Sequence, residues 1–273
     1  MIDRLEKKRG FIQIPNRISS KIECMFFTKD DLKLAYGVDL DIAEAYVNRA
    51  IPKENLYWKN RSIYIPPAPG YFFMPIYSDI LLRCGAEKEF ILSEVFLALN
   101  ESILHSAALL EHNEIDWATH VSQSIHCASS MVTRPILFSE ITQYLSQPVL
   151  RKQGNSLLGT RFPSLNRADS YLLSITSIPS DNFDEAKAIR AWYALMTYFL
   201  IQDDLADIKD DLKKNEENVL IDAGLNDAGL QVVTEMINQS HDALLSINPI
   251  LSNRIDYKRK MMDLKEIIRS IIS

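Results

Sequence analysis

The sequence predicts an all-α fold, on three observations. Glycine is scarce, 8 in 273 residues, whereas strand-rich folds use glycine in turns and bulges. Apolar residues Val95, Leu99, Ile103, Ala107 and Leu110 recur at three- and four-residue steps, the period of an amphipathic helix. Helix starts and stops also punctuate the chain: Thr28 before Asp30 and Asp31, Gly37 after them, then Pro52 and Pro179.

Taken in order, residues 1–27 are mixed and weakly periodic. A helix starts at Thr28 and stops at Gly37, and a second, Asp39–Arg49, ends before Pro52. Pro66, Pro67, Pro69, Gly70 and Pro75 lie among Tyr57, Trp58, Tyr64, Tyr71, Phe72 and Phe73, the pattern of an ordered loop. Residues 1–75 are therefore read as short helices plus this segment, packed on a helical bundle over 76–273 within one domain. The periodicity predicts one long helical stretch from Tyr77 to Leu110 and a second over 114–146, bent near Pro135. A basic loop follows, carrying Arg151, Lys152 and Arg161, then a helix over Ser164–Ile178 ended by Pro179. Asp181 or Asn182 caps a long helix through about Lys214. Two further helices are expected at about 226–246 and 249–272.

The net charge of −6 argues against a nucleic-acid-binding surface, which needs a net basic face. Cys24, Cys84 and Cys127 are far apart and odd in number, so neither a disulfide framework nor a zinc site is expected. Met1–Gly10 is charged, unlike a signal peptide, and the apolar run Ala191–Ile201 is too short to span a bilayer. The expectation is a cytoplasmic protein without a transmembrane segment; a homodimer is compatible with it.

The most informative segment is Gln202-Asp203-Asp204-Leu205-Ala206-Asp207, followed by Asp210 and Asp211. Asp203 and Asp207 lie one turn apart on a helix and share a face. Like charges at that spacing repel unless a cation neutralises them, and acidic groups near a helix C-terminus oppose the dipole. Hard oxygen ligands on adjacent turns suit Mg²⁺, which shares its remaining positions with water and substrate phosphates. The plain alternative is a solvated helix end, extended by Lys209, Lys213, Lys214, Glu216 and Glu217.

This segment resembles the second aspartate-rich motif, Q-x-D-D-x-x-D with x-D-D-x-x-D as its core, of class I isoprenoid synthases, in particular trans-prenyltransferases. Upstream, Asn166-Arg167-Ala168-Asp169-Ser170-Tyr171-Leu172-Leu173-Ser174 resembles the helix that supplies a diphosphate-binding lysine there, with Arg167 in the lysine's place. The resemblance spans about residues 164–222. It implies an isoprenoid-synthase-like helical bundle, Mg²⁺ on Asp203, Asp204 and Asp207, and diphosphate on Arg167. The substrate it implies is an allylic prenyl diphosphate, ionised for condensation or cyclisation. The family's first aspartate-rich motif has no counterpart before residue 203; Asp79 and Glu111–Asp116 are the nearest acidic substitutes.

A second polar stripe runs through Glu87, Glu94, Glu101, His105 and His112, which fall within a narrow arc at about 100° per residue. Asp116 continues it. Glu101, His105 and His112 could line the cavity, or hold iron or manganese between helices as a dimetal oxidase does. A solvated helix face explains the same pattern. The remaining class is a non-catalytic helical interaction protein.

Overall fold

A computed structural model describes residues 28–49, 73–111, 113–148 and 157–261, with Leu264 and Glu266. These residues form helices and no strand. Residues 1–27, most of the Pro/aromatic segment and most of the last predicted helix beyond 261 lie outside them, as do His112, Arg151 and Lys152.

Helices α1 (Lys29–Tyr36) and α2 (Leu40–Val47) start where the sequence places them. Thr28 and Asp31 form a capping box, and Gly37 ends α1 in the left-handed region at φ 67°. Asp39 caps α2. The pair is anchored through Asp79, whose carboxylate accepts the Asp39 N–H at 2.9 Å and Arg83 Nε at 2.6 Å. Asn248 Nδ2 donates to both Asp79 (3.0 Å) and the Tyr36 carbonyl (2.9 Å), tying the segment before Pro249 to the end of α1. Asp79, the nearest acidic substitute for the missing motif, is thus fully buried in a structural network, and burial pushes its pKa up.

The stretch from Tyr77 to Leu110 is three helices rather than one: α3 (Phe73–Arg83), α4 (Lys88–Ile91) and α5 (Glu94–Glu111). The first break is a docking point. Gly85 takes φ 101°, a Cβ there would collide with the Asn182 carbonyl, and Asp184 N–H donates to the Cys84 carbonyl at 2.9 Å. Periodicity alone cannot reveal a break imposed by a partner a hundred residues away. Residues 114–146 likewise form two helices, α6 (Trp117–Ser129) and α7 (Pro135–Ser146). Pro135 opens α7 instead of bending a longer helix, a position where its missing N–H is not needed.

Ser164–Ile178 is not an α-helix but two 3-10 stretches, Pro163–Asn166 and Asp169–Ser177. Hydroxyls explain the second. Ser174, Thr176 and Ser177 donate to the carbonyls of Tyr171, Leu173 and Ser174, three residues back, at 2.7–2.8 Å, competing with α-helical bonds. All nine residues are buried, and α5, α6, α7 and the next helix pack around them.

That next helix, α8 (Glu185–Lys214), is 30 residues long and capped by Asp184 rather than Asp181 or Asn182. Its first half is buried nearly all round. Trp192 lies 5.2 Å from Phe73, 4.9 Å from Tyr77 and 5.7 Å from Tyr171, ring centre to ring centre. Asp169 accepts Trp192 Nε1 (3.0 Å), Tyr193 OH (2.9 Å) and Tyr144 OH (2.6 Å), so one buried carboxylate joins α7, α8 and the 3-10 segment. The short α9 (Val219–Asp222) follows, then α10 (Asp227–Leu245) along α8, and α11 (Pro249–Met261) against α10 and α1. No described helix is long and apolar enough to cross a membrane.

Candidate functional site

Beyond Ile201 one face of α8 stays in the core through Leu205 and Ile208, while the acidic residues begin on the others. Gln202, Asp203 and Asp207 are half-buried, Asp204 is 2% exposed, and Asp211 is also buried. Arg167 lies between the two 3-10 stretches, at the C-terminal end of the first. Its Nη2 donates to Asp203 Oδ2 at 3.1 Å and to Asp204 Oδ1 at 2.9 Å, and its Nη1 donates to the Ser164 carbonyl at 3.0 Å. Two segments separated by 36 residues in the chain thus meet in one charged cluster.

The loop after α8 folds back over the same cluster. Asn215 ends the helix in the left-handed region at φ 55°. Asn218 Nδ2 donates to the Asp204 carbonyl (2.7 Å) and to Asp211 Oδ2 (2.8 Å), and Val219 N–H donates to Asp204 Oδ2 (2.7 Å). Both carboxylate oxygens of Asp204 are therefore bonded within the chain. Burial pushes the Asp204 carboxyl up to about 6, against the opposing pull of Arg167. Asp211 is raised by burial too. Burial works against the Arg167 charge, but Asp204 and Asp203 together hold its pKa above the ordinary arginine value.

Of the residues singled out in the sequence, Arg167, Asp203 and Asp204 are brought together, and Asp207 lies one turn further along α8. The polar stripe is divided. Glu87 precedes α4, whereas Glu94, Glu101 and His105 lie on α5. Arg49 donates to Glu94 at 2.6 and 2.7 Å and to Glu101 at 2.5 Å, and Glu101 is 4% exposed. His105 is half-buried, and burial lowers its pKa. His112 lies outside the described residues, and Asp116 caps α6 through the Thr119 N–H at 2.8 Å. In the basic loop, Arg161 is exposed, with its guanidinium 4.8 Å from the Phe162 ring centre.

Asn218 is the member of the cluster that the sequence does not single out, and Asp211, quoted with the acidic segment, carried no assigned role there. Asn218 before Val219-Leu220-Ile221 carries the signal of an N-cap. Its second role, bonding Asp204 and Asp211 on the preceding helix, has no local signature.

Among the described residues no group of three or more His, Cys, Asp or Glu side chains could hold a metal ion by itself. A caged transition metal is not matched by that donor set. Mg²⁺ is less demanding, since one or two carboxylates suffice when phosphate oxygens complete the shell. Asp203 and Asp207 fit that requirement in number and exposure. Asp204 has both carboxylate oxygens bonded to Arg167 and Val219. In comparisons with known proteins, no family model matches the chain, and no curated protein or solved structure matches it.

Proposed function

We propose that the chain binds a prenyl diphosphate together with Mg²⁺ at Arg167, Asp203 and Asp207, as a divergent isoprenoid-synthase-like protein. One observation carries the reading: Arg167 lies within hydrogen-bonding distance of Asp203 and Asp204, so the anion-binding and metal-binding candidates share one site. Bound there, Mg²⁺ would supply positive charge to a departing diphosphate. Arg167 would donate to the diphosphate oxygens, for which a planar guanidinium is suited. The buried apolar half of α8, ending at Leu200 and Ile201, would keep water from the allylic cation before condensation or cyclisation.

A second reading is favoured by Asp204. Its oxygens are satisfied by Arg167 and Val219, so that part of the cluster is neutral without a ligand, as in a non-catalytic helical interaction protein. Melting of metal-stripped protein separates the two. With Mg²⁺ plus inorganic diphosphate at about a hundredfold over Kd, the native state gains about 2.7 kcal/mol. The gain is lost in Asp203→Asn/Asp207→Asn. No shift under any condition favours the interaction protein. The iron or manganese reading of Glu101, His105 and His112 is decided by metal analysis of the purified protein.

A further inference from the structure

We propose that Arg254, Gln202 and Tyr198 form a second ligand site, independent of Arg167 and its aspartates, that takes one oxyanion, a carboxylate or a phosphate group. Arg254, on α11, differs from the other half-buried arginines. Arg49, Arg134, Arg167 and Arg259 each have a carboxylate within salt-bridge distance, at 2.5, 3.1, 2.9 and 2.6 Å. Arg254 is half-buried too, yet pairs with no carboxylate among the described residues. Asp256, two residues on, is held by Arg259 and Lys260 at 2.6 Å each. A charge taken out of water without a counter-charge is costly and is ordinarily paired.

Three helices converge on this guanidinium. Its central carbon lies 5.9 Å from the ring centre of Tyr36, the last residue of α1, at the outer limit of a cation–π contact. Burial raises the pKa of Tyr36 and of Tyr198 on α8, and the Arg254 charge opposes that rise at both hydroxyls. Gln202, one turn beyond Tyr198, directs its side chain at the Tyr198 hydroxyl. Arg254 Nε and Gln202 Nε2 are both buried, and neither has a hydrogen-bond partner. Both are N–H donors, and a guanidinium cannot accept. Two buried donors beside a positive charge call for an acceptor that carries negative charge, and a carboxylate or phosphate brings an oxygen for each. Tyr198, 3% exposed, adds a hydroxyl as a third donor. Asp31, the carboxylate that acts on Tyr36, is occupied in capping α1, where it accepts the Thr28 N–H and hydroxyl at 3.0 and 2.8 Å. Arg254 and Gln202 are half-buried rather than sealed, so an ion reaches them from solvent. Gln202 precedes Asp203 in the chain, but adjacent residues of a helix do not face one another; the oxyanion lies on a different face of α8 from Asp203 and Asp207.

Inorganic phosphate and acetate are the probes, titrated into full-length, metal-stripped protein against sodium chloride at equal ionic strength. Binding is read by thermal melting and by the NMR resonance of the Arg254 Nε–H, assigned through Arg254→Lys. At least one of the two anions should raise the melting temperature above that in chloride, by mass action, and move that resonance. A larger response to phosphate assigns a phosphate-bearing ligand, and a larger response to acetate assigns a carboxylate. Arg254→Gln should bind the preferred anion at least about tenfold more weakly, the loss expected for one hydrogen bond to a charged group. Arg259→Gln removes the same charge from the same helix and should leave the affinity unchanged. Equal responses to all three salts are screening alone and overturn the site. Unaltered affinity in Arg254→Gln overturns it as well, because the anion then binds elsewhere. Should Arg254→Gln fail to fold, the resonance in the unaltered chain decides: an Nε–H signal that neither anion moves overturns the proposal.

Discussion

Asp204 accepts the Val219 N–H at 2.7 Å through one oxygen and holds Arg167 at 2.9 Å through the other. One buried carboxylate thus joins three segments: the 3-10 region, α8 and the start of α9. Removing one partner of a buried ion pair typically costs about 3–5 kcal/mol. Asp204→Ala should lie near the lower end, about 3 kcal/mol, because Arg167 keeps Asp203. Urea unfolding at neutral pH measures it, and a loss under about 1 kcal/mol would contradict the keystone role.

The same residue sets a pH dependence. Its pKa is raised from 3.8 to about 6 in the native state, so between those values the native chain binds a proton that the unfolded chain does not. Stability from this group therefore rises as pH falls from about 7 to about 4 and declines again as pH rises through 6. Compared with Asp204→Asn, the unaltered protein should gain up to about 3 kcal/mol over that interval. A pH-independent difference between the two proteins would refute the assignment.

His120 should act with the opposite sign. It is fully buried on α6, its Nδ1 lies 2.9 Å from Ser106 Oγ, and burial lowers its pKa from 6.5 to about 4. Ser106 donates to Gln123 Oε1 at 2.8 Å, which leaves His120 Nδ1 as the donor and Nε2 unprotonated. Below pH 6.5 the unfolded chain takes up a proton that the native chain refuses, so stability falls as pH drops, until the native group titrates near 4. The loss is about 3 kcal/mol, and His120→Gln should remove it. Chemical denaturation of both proteins at pH 7, 6, 5 and 4 compares the slopes; parallel curves would rule the effect out.

Gly229, in the first turn of α10, should tolerate no side chain. A Cβ there would overlap the carbonyl oxygens of Gly224 and Ala223, backbone atoms that cannot move aside as a flexible side chain does. Gly229→Ala is expected to cost about 2–3 kcal/mol despite alanine's better helix propensity. A melting temperature at or above that of the unaltered protein would show that the turn relaxes.

Glu101 should behave as a structural anchor. Its short bond to Arg49 fixes the end of α2 to α5. Glu101→Gln keeps the shape but loses the charge-assisted bond, and about 1–3 kcal/mol of stability should go with it. Metal content, measured on the purified variant, should match the unaltered protein. Loss of bound iron or manganese would instead restore the dimetal reading.

Local chemistry made parts of this protein legible. Thr28 with Asp31, Gly37 and Asp39 act as caps and stops because capping is decided by residues within one turn. The scarcity of glycine and the helical period indicated an all-α chain for the same reason. The single helix expected from Tyr77 to Leu110 failed at Gly85, where the start of α8 docks. The helix expected over Ser164–Ile178 gave way to 3-10 geometry through the hydroxyl bonds of Ser174, Thr176 and Ser177.

In the candidate site, the shared face of Asp203 and Asp207 follows from helical spacing and was readable in advance. The resemblance singled out Arg167, Asp203 and Asp204 but not their pairing with one another. What the tertiary structure alone decided is that Asp204 turns inward to Arg167 and Val219, and that Asn218 closes the loop over Asp211. Glu101 is bound to Arg49 by the same kind of decision. The reason is range: caps and periodicity act over a few residues, whereas a buried charge finds its counter-ion wherever the packing of the whole chain brings one within hydrogen-bonding distance.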